Sequence, residues 1–206
     1  MKRLYLLRHG QTEFNVKKLV QGRCDSPLTS LGRQQAQAAV AWLKANGVVP
    51  DKVISSPLGR AMDTASLVAC ELLGPDAAAE PCEGIIERCY GSFEEGPHDA
   101  LPTDVWDPGE DLIPFGGEGS RALQERMVGT LTNLMGAEGI ETLLAVSHGS
   151  ASRQFIKAAA PEGFELPAKL PNCAIMIFDF DDAREEDDTL QCKFTLQQIV
   201  DPQQSH

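Results

Sequence analysis

No run in this chain approaches the roughly 18 consecutive apolar residues of a membrane span. Met1-Lys2-Arg3 leads directly into an apolar segment, too soon for a secretory leader. Both absences predict a cytoplasmic protein with no membrane partner. The six cysteines, Cys24, Cys70, Cys82, Cys89, Cys173 and Cys192, form no C-x-x-C pair and no zinc spacing. That argues against a structural metal and a disulfide framework, and leaves reduced thiols as the expectation. Without a Gly-x-Ser-x-Gly there is no serine nucleophile elbow. Without an Asp-x-Asp-x-Asp-Gly, the seven acidic residues between Asp179 and Asp188 read as a solvated hairpin rather than a calcium loop. Lys and Arg are absent from Cys89 through Ser120.

What basic charge there is lies early. The 206 residues hold 18 Lys and Arg against 30 Asp and Glu, a net charge of −12. Residues 1–60 hold ten basic and three acidic residues, +7; residues 61–206 hold eight and twenty-seven, −19. A basic segment inside an acidic protein suits a local anion site and argues against a nucleic-acid surface. The length predicts one domain.

Two stretches share a pattern. Leu4-Tyr5-Leu6-Leu7 runs into Arg8-His9-Gly10, and Leu143-Leu144-Ala145-Val146 into Ser147-His148-Gly149. Each reads as a buried strand followed by a ligand-capable loop. Lys52-Val53-Ile54-Ser55 is a third such strand, leading to Arg60. In open α/β sheets, ligands sit beyond the carboxyl ends of the strands. Alone, a histidine there fits a turn and Arg8 a surface ion pair. If the strands are parallel neighbours, two histidines and two arginines converge, which points to an oxyanion and first to a phosphate. Gly10 permits a sharp turn or the close approach of a ligand.

Helices are expected from Thr29 or Ser30 to Gly47 (inward Leu31, Gln35, Ala38, Ala39, Trp42, Leu43), Leu58 to Leu73, Ser120 to Met135 and Ser150 to Ala160. Ala77 to Cys82 holds a short edge strand, and Ala174 to Phe180 and Leu190 to Val200 two more. The fold class is therefore α/β, with a mostly parallel central sheet and helices on both faces. Residues 92–117 form an inserted lid, and 201–206 a frayed tail. Thr12 caps a short helix; Asn15, one turn on, either reaches the anion or serves the turn. Gly22 allows close backbone approach. Glu87, after two isoleucines, is either a partly desolvated acid suited to proton donation or a surface partner of Arg88.

Leu7-Arg8-His9-Gly10-Gln11-Thr12 resembles the signature of the histidine phosphatase superfamily, in its phosphoglycerate mutase-like branch. Asn15, Gln21-Gly22, Asp25 to Thr29, Ser55 to Ala61, Glu87 with Gly91, Gly116-Gly117-Glu118, Ser147-His148-Gly149 and Leu170 to Cys173 continue the match in order. The resemblance implies His9 as the nucleophile that becomes phosphohistidine, and Arg8, Arg60 and His148 as holders of the phosphoryl oxygens. It implies Glu87 as proton donor, and Asn15, Gln21, Gly22 and the Gly149 backbone as phosphate and substrate contacts. Arg88 joins them as a substrate-binding candidate. No metal or other cofactor is implied; the partner is a small phosphorylated metabolite, and nothing indicates an oligomer.

Two departures fall near the lid. Gly91-Ser92-Phe93-Glu94-Glu95-Gly96 is one residue longer than the family's Gly-x-x-Glu-Gly, and Gly119 interrupts the usual Gly-Gly-Glu-Ser. Mutases of the family carry a longer insert with basic residues that clamp substrate; here the insert is short and has none. A metal-independent phosphomonoester hydrolase is expected, with mutase-type transfer or an inactive phosphate-binding module as alternatives. The five acidic residues between Gly96 and Gly117 in the lid would disfavour a second anionic group on their side, leaving Lys17, Lys18, Arg23 and Arg88 to bind one from the other.

Overall fold

The computed structural model describes residues 1–183 and 192–204. Residues 184–191, part of the acidic stretch expected to form a hairpin, and the last two residues lie outside the described residues. Strand β1 (Lys2–Arg8) is buried from Leu4 to Arg8, as an apolar run covered on both faces should be. It lies inside a six-stranded sheet ordered β3-β2-β4-β1-β5-β6. The other strands are β2 (Lys52–Ser55), β3 (Glu80–Pro81), β4 (Thr142–Ser147), β5 (Ile175–Phe180) and β6 (Phe194–Val200). β1 pairs in parallel with β4, and β2 in parallel with both β4 and β3. β5 runs antiparallel to β1 and to β6.

The pleat sorts side chains between two layers. Leu4, Leu6, Leu143 and Ala145 pack with helices α4 (Ser120–Met135) and α5 (Gly149–Ala159). Tyr5, Leu7, Leu144 and Val146 pack with α2 (Ser30–Ala45) and α3 (Gly59–Leu73). Each fully buried leucine contributes about 1.5–3 kcal/mol to this double core. The expected inward stripe of α2 is rotated. Gly32, Gln35, Ala36, Ala39, Val40 and Leu43 are buried, while Leu31 is 44% exposed. Backbone contact sets the rotation: a Cβ on Gly10 would lie 2.4 Å from the Gly32 carbonyl oxygen. Gly10 thus admits the first turn of α2 rather than a ligand.

Short helix α1 (Glu13–Lys17) begins with a capping box between Thr12 and Asn15. Residues 92–117 hold short 3-10 turns and carry their own apolar cluster, in which Leu101 and Leu112 join Val20 and Tyr90. A bridge between Leu19 and Pro97 ties this segment to the loop after α1. At the tail, residues 202–204 form a turn, with Gln203 bonded to Gln35 and to the Asn172 carbonyl.

Candidate active site

The register that sets Arg8 opposite Ser147 brings the next residues, His9 and His148, to the same sheet end. Their ring centroids are 5.2 Å apart. His9 is 3% exposed, and its Nδ1 lies 2.7 Å from the Gly10 carbonyl oxygen. A carbonyl only accepts, so Nδ1 carries the proton. Burial, then the charges of Arg60 and Arg8, hold this imidazole well below the usual histidine range. The ring is therefore neutral, with the Nε2 lone pair free of its own proton. Arg60 Nε donates to that nitrogen at 3.3 Å.

Arg8 and Arg60 are both buried. Arg8 Nη1 donates to the Leu170 carbonyl, whereas its Nε has no partner among the described residues. Burial lowers the Arg8 pKa to about 10, leaving the side chain charged near neutrality. Arg60 enters from the first turn of α3. It donates to the carbonyls of Gly22 (2.7 Å) and Cys24 (2.8 Å) and to Asp25 Oδ1 (2.9 Å), fixing the loop around His9 as well as flanking that ring. His148 Nε2 lies 2.7 Å from Ser56 Oγ, and its buried Nδ1 has no partner among the described residues. Burial and the nearby Arg60 hold His148 well below the usual range too. His148 is fully buried and backs His9 (ring centroids 5.2 Å apart) rather than lining the cavity; the unpartnered Nε of Arg8, which does line it, is what an oxyanion there would satisfy.

Glu87 is 7% exposed and caps α5: its carboxylate accepts from the amides of Ala151 (2.8 Å) and Ser150 (3.2 Å), and of Arg88 (2.9 Å). It does not pair with Arg88 on the surface. Arg126 anchors the approach to Glu87 by donating to the carbonyls of Gly84 and Ile86, both at 3.0 Å, while gripping Glu118. Arg88 departs from its expected place. It is fully buried and absent from the cavity wall. Its guanidinium donates to Ser150 Oγ (2.8 Å), Ser120 Oγ (2.9 Å) and the carbonyls of Glu118 (2.7 Å) and Gly109 (3.3 Å). Arg88 is a strut between α5, the start of α4 and the lid.

Asn15, Gln21, Gly22 and Gly149 all line the cavity with Arg8, His9, Arg60 and Glu87. Asn15 Oδ1 accepts from Thr12 N (3.1 Å) and from Asn172 Nδ2 (3.2 Å), so Asn15 serves the cap of α1 while standing on the cavity wall. Gln21 Nε2 donates to Thr12 Oγ1 at 2.7 Å. Gly22 has φ +54°, and a Cβ there would lie 2.3 Å from Glu94 Oε1. Glu94 belongs to the elongated segment that departs from the family pattern. It accepts from the amides of Arg23, Cys24 and Tyr90, locking that loop to the lid.

Among the wall residues not expected as site residues, or placed there only loosely, are Trp106 and His98 from the lid, Lys18 after α1, and Lys169 before β5. The tryptophan, one of only two, was the available signal in the lid. The lid's acidic residues are not on the wall; Glu87 is the one carboxylate there. Asp107 turns instead to Lys157 and Gln154. The cavity measures about 230 Å³, which suits a small molecule. Among the described residues, no cluster of three or more His, Cys, Asp and Glu has the makings of a metal site, and no helix is long and apolar enough to cross a membrane.

Comparison with known proteins agrees with this arrangement. A probable phosphoglycerate mutase of Proteus mirabilis is 31% identical over 186 residues, covering 87% of this chain and 86% of its own. A broad-specificity phosphatase of Saccharomyces cerevisiae is 32% identical over 158 residues, covering 75% and 69%. The crystal structure of an Entamoeba histolytica phosphoserine phosphatase in complex with 3-phosphoglyceric acid superposes with a TM-score of 0.72 at 28% identity, covering 97% and 96%. The family description that matches residues 4–192, nearly all of the strands and loops that build this pocket, is the histidine phosphatase superfamily (branch 1), and to that superfamily the chain belongs.

Proposed function

We propose that the protein is a metal-independent phosphomonoester hydrolase that works through a phosphohistidine on His9. The observation that carries this reading is the Nδ1 hydrogen bond to the Gly10 carbonyl, which leaves a neutral ring with an unprotonated Nε2 at the cavity wall. Nε2 attacks phosphorus, and the P–O ester bond breaks. Arg8, Arg60 and His148 stabilise the charge spread over the three phosphoryl oxygens. Glu87, as the acid, gives its proton to the departing alkoxide. As carboxylate it then takes a proton from the water that attacks phosphohistidine. The P–N bond breaks, inorganic phosphate leaves, and both residues return to their starting forms.

Hydrolysis is favoured over transfer between two hydroxyls by the lid, which has no Lys or Arg to clamp an intermediate substrate. The relatives include both a phosphatase and a probable mutase by name. The test is phosphate release in EDTA from an aryl phosphate, 3-phosphoglycerate, sugar phosphates and nucleotides, with His9→Ala alongside. Turnover that disappears with His9 supports the reading. Isomerisation of 3-phosphoglycerate without phosphate release replaces it with the mutase, and inertness of both proteins replaces it with the binding module.

A further inference from the structure

Parallel pairing of β2 with β4 sets Ser55-Ser56-Pro57, at the end of one strand, beside Ser147-His148-Gly149, at the end of the other. Ser56 takes no part in the phosphohistidine scheme. It is fully buried, and its backbone is held on both sides: the amide donates to the Val146 carbonyl at 2.9 Å, and the carbonyl accepts from Ser55 Oγ at 2.8 Å. A hydroxyl on a residue so pinned has a fixed place. Ser56 Oγ lies 2.7 Å from His148 Nε2. We infer that Ser56 is a positioning residue for the phosphoryl transfer: its hydroxyl donates to His148 Nε2 and so holds the proton of the His148 ring on Nδ1.

Counting protons gives the direction of that bond. A hydroxyl has one proton to give and two lone pairs to receive. Ser56 Oγ accepts from the Leu58 amide at 3.4 Å, and His148 Nε2 is the one acceptor within its own reach among the described residues. Were the ring proton on Nε2, the hydroxyl proton and a bare Nδ1 would both be buried without partners. With the proton on Nδ1, one group is left unsatisfied instead of two, and that group is a donor.

The surroundings leave this donor unused. His148 is the N-cap residue of α5, where a side chain ordinarily accepts from the first turn, yet its ring makes no such bond. Glu87 takes the amides of Ser150 and Ala151 in its stead. The ring is thus released from its own helix. It bonds to Ser56 and lies beside His9, with centroids 5.2 Å apart. A buried N–H without an acceptor is costly, which makes an acceptor that arrives during function the natural partner. Phosphorylation of His9 brings three oxygens to the neighbouring ring. His148 meets them as a neutral donor, since burial and then the charge of Arg60 keep it unprotonated. The opposite tautomer would offer those oxygens a lone pair at Nδ1 and repel them.

This inference rests on the phosphohistidine reading for what the N–H does, but its first test needs no turnover. Nitrogen-15 spectra of the uniformly labelled full chain, recorded at about pH 7.5 where histidine is ordinarily neutral, show which ring nitrogen of His148 is protonated. The chain has four histidines, and His148→Gln identifies the ring that disappears. One buried group unsatisfied rather than two predicts Nδ1–H over Nε2–H by at least about tenfold. A proton on Nε2, or on both nitrogens, overturns the inference. Ser56→Ala should then abolish that bias and lower kcat on an aryl phosphate about tenfold at nearly unchanged KM. Ser56→Thr, which keeps the hydroxyl, should retain the Nδ1–H signature and most of kcat. In a His148→Ala background, Ser56→Ala should change kcat by less than about twofold, because the residue through which it acts is gone. An equal loss in both backgrounds, or an unchanged tautomer and kcat in Ser56→Ala, overturns the positioning role. The predicted tautomer in a protein that releases no phosphate keeps the Ser56 hydrogen bond and removes the hydrolase reading instead.

Discussion

The guanidinium carbon of Arg8 lies 5.1 Å from the ring centroid of Trp106, a residue of the lid. A cation over an indole face is worth about 0.5–2 kcal/mol, more when desolvated. Gly149 makes the approach possible: a Cβ there would lie 2.8 Å from Trp106 Cζ3 and 3.5 Å from Arg8 Nε. The lid therefore meets Arg8 on the cavity wall through the Trp106 ring.

Replacing that ring should cost activity without unfolding the sheet. Trp106→Ala is expected to lower kcat/KM by about 2- to 30-fold, the equivalent of that interaction energy. Trp106→Phe should retain much of it, since the aromatic face remains. Steady-state kinetics on a single phosphomonoester decide the matter. An unchanged kcat/KM in Trp106→Ala would show that the ring does not hold Arg8 in the working enzyme.

The buried histidines link the site to stability. His9 and His148 are both held well below the ordinary histidine value, mainly by burial and then by Arg60. In the unfolded chain each binds a proton near pH 6.5. Between the depressed folded value and 6.5 the unfolded state therefore holds more protons, so stability rises with pH there. The contribution is complete above 6.5 and is lost as pH falls below it. Melting temperature should drop from pH 7.5 to 5, and His148→Gln should show a shallower drop than wild type. Parallel profiles for the two proteins would contradict the buried neutral state. Because His9 is already neutral, kcat/KM should show no acid limb at 6.5 arising from the nucleophile.

Much of this site is legible in the sequence because it is written at strand ends. Arg8-His9-Gly10 and Ser147-His148-Gly149 each follow four apolar residues, and parallel pairing of β1 with β4 brings them together. Helix ends and caps are similarly local, which is why Thr29 and α4 fall where spacing puts them. What stayed hidden depends on contacts remote in sequence. The rotation of α2 follows from Gly10 against Gly32. The acceptor for His9 Nδ1 is a backbone carbonyl, which has no sequence signature. Lys169 comes to the cavity wall because two arginines far from it in the chain hold its loop. The lid's carboxylates likewise do not line the cavity, since composition does not say which way a side chain turns.

Arg88 shows the same limit and permits a sharp test. A basic residue directly after Glu87 looks like a substrate ligand, yet all three guanidinium nitrogens are spent on Ser150, Ser120, Glu118 and Gly109. Arg88→Met removes a buried charge together with four hydrogen bonds and leaves two hydroxyls and two carbonyls without this donor. Loss of buried bonds to a charged group costs about 1.5–3 kcal/mol apiece at most, and less once neighbouring groups relax. The urea midpoint of Arg88→Met should therefore fall clearly, by the equivalent of about 3 kcal/mol. Arg88→Lys should recover only part of it, because an ammonium cannot span the fork of partners that the guanidinium reaches. A substrate-binding role predicts the opposite pattern: a raised KM at an unchanged urea midpoint. Denaturation and kinetics on the same two variants separate these outcomes, and the second would return Arg88 to the cavity wall.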